Sequence, residues 1–181
     1  MEATKTFIDG LLILQPKIFT DDRGYFYEPY NKKALAASRV TEDFVQDNQS
    51  LSQKDVVRGL HFQKLPFAQS KLVRVIQGAV WDVVVDIRKK SPTYGKHFGI
   101  ELSASNKTIL YIPAGFAHGF VTLEDNTLFF YKCSNYYNKE SEDCILWNDS
   151  DLAIPWNVSN PIISEKDKKG KPFSAFNSMF W

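Results

Sequence analysis

The run Leu72-Val73-Arg74-Val75-Ile76-Gln77-Gly78-Ala79-Val80-Trp81-Asp82-Val83-Val84-Val85-Asp86-Ile87 carries two apolar, β-branched segments parted by one glycine. Such residues suit extended backbone, and each segment is of strand rather than helix length. Leu72 to Ile76 ends at Gly78 and Ala79 to Ile87 resumes at once, so the pair is expected to form a hairpin. The same signal repeats on both sides. Leu11 to Leu14, Tyr25 to Tyr27, Leu60 to Phe62, Phe98 to Leu102, Thr108 to Ile112, Gly119 to Leu123 and Leu128 to Cys133 are short apolar runs bounded by Gly, Pro, Asn or Asp. Many short strands with tight turns predict an all-β sandwich or barrel. Lys32 to Arg39 is the best helix candidate, and Asp149 to Lys171 reads as irregular coil with at most one helical turn. With 181 residues, no repeat and no linker-like tract, one domain over 1–181 is expected.

Composition narrows the classes of function. Lys and Arg total 22 against 21 Asp and Glu, so there is no long-range field for holding a nucleic-acid backbone. An anionic ligand must be met by a few placed cations. The two cysteines, Cys133 and Cys144, are too few for a disulfide framework or a structural zinc site. Met1 to Thr6 lacks the pattern of a signal peptide, and the longest apolar runs fall short of a membrane span, so a cytoplasmic protein without membrane contact is expected. Asn48-Gln49-Ser50 matches a glycosylation acceptor, a chance match in that compartment. No GxGxxG or GxxxxGK[ST] is present, which removes support for a nicotinamide or ATP fold.

Three places could carry chemistry. His61, within Arg58-Gly59-Leu60-His61-Phe62-Gln63, shares a strand face with Gly59 and Gln63 and opposes Leu60 and Phe62. It lines a pocket if the barrel interior is the site, and is a surface histidine if Leu60 and Phe62 fill that interior. Metal-binding barrels of this kind place an HxH pair here, and the second position is Gln63. His118 with Glu101 or Glu124 does not complete three clustered imidazoles, so no metal is expected. Pro113-Ala114-Gly115-Phe116-Ala117-His118-Gly119-Phe120 reads as a tight turn presenting His118 at its exit, or as a plain hairpin whose histidine bonds backbone. Tyr131 shares a face with Phe129 and Cys133. Its phenol is either a general acid or a core aromatic with a satisfied hydroxyl. Ser164 to Lys171 is a charged run that ordinarily forms a solvated loop.

Taken together, these segments resemble the dTDP-4-dehydrorhamnose 3,5-epimerase family. The resemblance lies in Asp21-Asp22-Arg23-Gly24-Tyr25-Phe26, Gln46-Asp47-Asn48, Arg58-Gly59-Leu60-His61-Phe62-Gln63, Lys71-Leu72-Val73-Arg74-Val75, Trp81 to Arg88, Ile112-Pro113, Gly115 to Phe120 and Tyr131-Lys132. It implies a double-stranded β-helix (cupin, or jelly-roll) barrel with short flanking helices, working as a homodimer without metal or other cofactor. It also implies roles: His61 as base, Asp167 as its paired carboxylate, Tyr131 as acid on the other side of the sugar, and Lys71 and Arg58 as cations near sugar and phosphates. Arg23, Phe26, Glu28, Gln46, Asn48, His118, Glu142 and Lys166 match ligand-binding positions, with Arg23, Phe26 and Glu28 given by the partner subunit. Ser70, where glycine is usual, and Ala114, where a larger basic residue is common, depart from the pattern. The implied substrate is a dTDP-linked 4-keto-6-deoxy hexose, a step toward dTDP-L-rhamnose. The competing readings are an epimerase of C3 or C5 only or of another nucleotide-linked keto sugar, a non-catalytic sugar-nucleotide-binding cupin, and a metal-dependent cupin oxygenase or isomerase.

Overall fold

The computed structural model describes residues 1–181. Fourteen strands follow in chain order: β1 (Glu2–Lys5), β2 (Leu12–Gln15), β3 (Ile18–Asp21), β4 (Gly24–Tyr27), β5 (Gln46–Ser52), β6 (Val56–Gln63), β7 (Lys71–Gln77), β8 (Ala79–Asp86), β9 (His97–Ser103), β10 (Ile109–Ile112), β11 (Phe116–Thr122), β12 (Thr127–Cys133), β13 (Glu142–Cys144) and β14 (Ile162–Ile163). One helix, α1 (Lys32–Ala37), is capped by the Asn31 side chain, which accepts from the Ala34 N–H. Short 3-10 turns occupy Asp167–Lys169 and Phe173–Ala175.

The strands form two sheets packed as a jelly roll, the barrel expected from the sequence. The first runs β1-β2-β10-β7-β12-β5, and the second runs β13-β6-β11-β8-β9 with β14 parallel to β6. β3 and β4 make a separate hairpin. The expected pairing of Leu72–Ile76 with Ala79–Ile87 is not formed. β7 pairs with β10 and β12, whereas β8 pairs with β11 and β9, so the chain changes sheets at Gly78. Gly78 has φ +78°, and a Cβ there would sit 2.4 Å from the Thr127 hydroxyl, so the crossing needs glycine. Two strands joined by a short turn carry the same local signal whether they pair or diverge.

Alternation assigns every central side chain to one of two layers. From β8 and β11, Val80, Val84, Phe116 and Phe120 point between the sheets, where they join Val73, Val75, Leu110, Ile112 and the fully buried Phe129. Burying a side chain of that size stabilises the fold by roughly 1.5–3 kcal/mol. Val83, Val85, Ala117 and Val121 point outward, onto Ile145, Leu152, Trp156 and Phe180 of the C-terminal segment. β8 is covered on both faces, which is why it reads as a nearly unbroken apolar run. α1 covers the outer face of the first sheet through Leu35, against Leu14, Leu72 and Ile109. The apolar filling occupies one part of the barrel. Polar side chains line the cavities that open beside it.

Candidate active site

Strand β6 breaks its alternation at one residue. His61 lies opposite His118 and Arg58 opposite Phe120, so three steps on β6 face two on β11. That is a β-bulge. Gly59 sits in it with φ +139°, and a Cβ there would fall 2.5 Å from the Gly119 backbone. Leu60 and Phe62 join the outer core, so His61 faces the barrel interior. Strict alternation puts Arg58 on the opposite face, but the bulge brings it to the same cavity as His61.

Two adjoining cavities, of about 240 and 310 Å³, share Asn48, His61, Lys71, Tyr131 and Glu142 as lining. Gln46 lines the first, and Arg58 and His118 line the second. His61 comes from the second sheet. Lys71 and Tyr131 come from β7 and β12 of the first, on the facing wall.

Asp167, at the start of a 3-10 turn, reaches across to β6. Its Oδ1 lies 2.7 Å from His61 Nε2 and its Oδ2 accepts from the Gly59 N–H at 3.3 Å. Within the charged run Ser164 to Lys171, Asp167 is buried while its neighbours Lys166 and Lys168 are exposed. Burial pushes its carboxyl up. The hydrogen bond and charge of His61, the Gly59 amide and the Lys166 charge outweigh burial and hold it below the usual 3.8. An ionised carboxylate only accepts, so His61 Nε2 carries the proton and Nδ1 is the basic nitrogen of the neutral ring.

Burial pushes the Tyr131 phenol up to about 12, helped by Cys133 and Glu142 and opposed by Arg58. It therefore holds its proton at neutral pH. Burial pulls the Lys71 ammonium below its ordinary 10.5, against the electrostatic pull of the neighbouring Cys133, Asp82 and Glu142. Its Nζ stands 5.5 Å from the centre of the Tyr131 ring. Glu142 is an ion-pair partner of Lys166 and accepts from the Tyr137 hydroxyl at 3.0 Å. Burial raises the Glu142 carboxyl, but these partners and the His61 charge bring it below its usual value. Gln46 donates to Asn48 at 3.1 Å, and Asn48 donates to Cys133 Sγ at 3.5 Å, which fixes the amides at the mouth.

His118 stands within β11 rather than at the exit of the preceding turn, and it is buried. Its Nε2 donates to the fully buried Asp82 at 2.9 Å, and its ring stacks on Phe129 at 6.0 Å. Sequence reasoning overlooked Asp82. The signal was present, because a carboxylate inside the run Val80 to Val85 must be buried and therefore paired.

Not every expected site residue reaches the cavity. Arg23 and Phe26 lie on the β3–β4 hairpin, lining a separate surface hollow. The Arg23 side chain is 89% exposed and pairs with Asp21. Glu28 accepts from Asn31 near the start of α1. Of the residues weighed as metal ligands, Glu101 and Glu124 are exposed and line neither cavity, whereas Gln63 lines the first and accepts from the Asn138 N–H.

The arrangement joins a carboxylate-held imidazole on one wall to a protonated phenol and an ammonium on the other. It is suited to moving protons on both sides of a bound ring. The family model for dTDP-4-dehydrorhamnose 3,5-epimerase matches residues 5–175. A Shigella flexneri protein of that name is 53% identical over 175 residues, covering 96% of each chain. A Legionella pneumophila 3,5-epimerase, solved in complex with dTDP-4-keto-L-rhamnose, superimposes with a TM-score of 0.93 at 46% identity, covering 97% of this chain and 94% of its own. A Bacillus anthracis structure with TDP and pyrophosphate gives 0.93 at 48% identity, covering 95% and 99%. Shared sequence over nearly the whole length and a shared barrel place this chain in the dTDP-4-dehydrorhamnose 3,5-epimerase family of carbohydrate isomerases.

Proposed function

We propose that the protein inverts C3 and C5 of a dTDP-linked 4-keto-6-deoxy hexose by proton removal and return, with His61 as base and Tyr131 as acid. The observation that carries this is the placement of the His61–Asp167 pair and of Tyr131 with Lys71 on opposite walls of one cavity. Inversion requires a proton to leave one face of a carbon and return on the other, so base and acid must flank the ring. The C4 ketone acidifies the hydrogens on C3 and C5 and takes up the electron pair as an enolate. His61 becomes imidazolium, which the Asp167 carboxylate stabilises. Lys71 supplies positive charge where the enolate oxygen develops. Tyr131 gives its proton to the carbon, and exchange with solvent then resets both groups. In heavy water, NMR of the dTDP-keto sugar should show both hydrogens exchanging and the inverted product accumulating. Exchange at one carbon only would make the protein a single-centre epimerase, and no exchange would make it a binding module.

Tyr131→Phe keeps the ring and removes the proton. Abstraction does not need the acid, so hydrogen exchange should persist while net inversion falls by about 10²-fold. The same NMR assay reads both. Wild-type rates for both would make Tyr131 a core aromatic only.

The diphosphate needs local cations, and Arg58 is the arginine at the cavity. Arg23 and Phe26 are exposed on their own hairpin. We assign them, with Glu28, to the site of a second copy, in a homodimer with two shared sites. Arg23→Ala should then raise KM more than it lowers kcat, since a phosphate contact is made in ground and transition states alike. Mixing Arg23→Ala with His61→Ala subunits should give one working site per heterodimer, because one shared site receives both intact residues. Inactive mixed dimers, once shown to form, would mean that each site is built within one chain. Both cysteines are free thiols, which supports residence in the reducing cytoplasm.

A further inference from the structure

Behind the imidazole lies a group that the proton chemistry does not use. Cys144 on β13 is the direct cross-strand partner of His61. Side chains of such a pair stand on the same side of the sheet. Asp167 closes over them from its 3-10 turn. A nitrogen of His61, Cys144 Sγ and a carboxylate oxygen of Asp167 all lie within 4.8 Å of one another.

We propose that His61, Cys144 and Asp167 form a binding site for a thiophilic divalent cation such as Zn²⁺ or Cd²⁺, and that occupancy silences the base. One imidazole, one thiolate and one carboxylate are ordinary ligands for such ions. Bonds of about 2.0–2.3 Å in a tetrahedron place ligand atoms roughly 3.3–3.8 Å apart. The widest separation here must therefore close by up to about 1 Å, through movement of Cys144 Sγ away from the Ile145 carbonyl to which it donates, and the 2.7 Å His61–Asp167 contact must open as the ion enters. Charge also fits: thiolate and carboxylate cancel the two positive charges of the ion, and the nearby Lys166 is already paired with Glu142. Binding moves one proton, from the Cys144 thiol to solvent. The His61 side chain is 29% exposed, which gives the ion its path from the cavity, and a water can complete the fourth position. Silencing follows from imidazole chemistry. With the metal on one nitrogen, the ring proton must sit on the other, and no basic lone pair remains. This second half rests on His61 being the base; binding itself does not.

The test uses the full chain with Co²⁺ as probe. Wild-type protein should bind one equivalent and develop a near-ultraviolet thiolate-to-cobalt charge-transfer band. Cys144→Ser and Cys144→Ala should both lose the band, and Cys133→Ser should keep it. Zn²⁺ should inhibit wild-type hydrogen exchange, reversibly by EDTA. Cys144→Ser should keep basal activity and weaken that inhibition beyond the ~10–100-fold cost of losing an outer partner of a metal site. A cobalt complex without the thiolate band, or equal zinc inhibition of wild type and Cys144→Ser, overturns the site. A thiolate band with undiminished exchange overturns the silencing. Cobalt binding in a protein that catalyses no exchange would uphold the site and reject the epimerase reading instead.

Discussion

Replacing His61 by alanine is expected to slow turnover by about 10²–10⁴-fold while dTDP binds nearly as before. In the proposed mechanism, proton removal begins at this one ring. Tyr131 cannot substitute, because at a pKa of about 12 it is protonated at neutral pH and has no basic oxygen to offer. Asp167 cannot substitute either. Its carboxyl is buried behind the imidazole and held below 3.8, so it is a weak base. The same depression fixes the sign of an acid effect on folding. A carboxyl whose folded pKa is lowered contributes stability that is present above its unfolded value and lost as pH falls through the folded one. The stability contributed by the depressed Asp167 carboxyl should thus be lost in acid, below about pH 4. Loss of activity nearer neutrality would report the catalytic protons and not unfolding. Single-turnover NMR in heavy water, with dTDP affinity measured in parallel, separates chemistry from binding. Exchange at both carbons at near wild-type rate in His61→Ala would remove the histidine from the base role.

The strands were legible in the sequence because alternation and turn residues are local signals. Partner choice was not, since pairing depends on which faces the whole barrel must cover. β7 and β8 show this most clearly: one glycine separates them, yet they belong to opposite sheets. The site was legible to different depths. His61 and Tyr131 were visible as residues of suitable chemistry, whereas Lys71 was visible only through family resemblance. Asp167 looked, residue by residue, like part of a solvated charge run, and burial distinguishes it only once the C-terminal segment is laid over β6. Arg58 is separated from His61 by a count of three, so alternation alone points them apart. The bulge at Gly59 depends on close approach to Gly119, a contact sixty residues away in sequence. Asp82 could have been found by asking what satisfies a carboxylate inside an apolar strand.

Lys71→Met should lower turnover by about 10²–10³-fold, the usual cost of removing one group that stabilises a developing oxyanion. Methionine keeps the length and apolar stem of lysine, so packing beside Tyr131 changes little and the loss reports charge. The pH profile adds a second, independent readout. Burial already pulls the Lys71 ammonium below 10.5, whereas it pushes the Tyr131 phenol up to about 12. In the proposed mechanism the group needed in its charged form therefore deprotonates first, and the alkaline limb of kcat is expected to belong to Lys71 rather than to Tyr131. Activity should fall as pH rises through the lowered lysine value. In Lys71→Met the residual activity should show no such limb. Lys71→Arg carries a cation that stays charged to far higher pH. Its remaining activity should hold flat where wild type declines. Circular dichroism over the same range checks that the fold persists. An unchanged alkaline limb in Lys71→Met would assign that titration elsewhere and remove Lys71 from the oxyanion site.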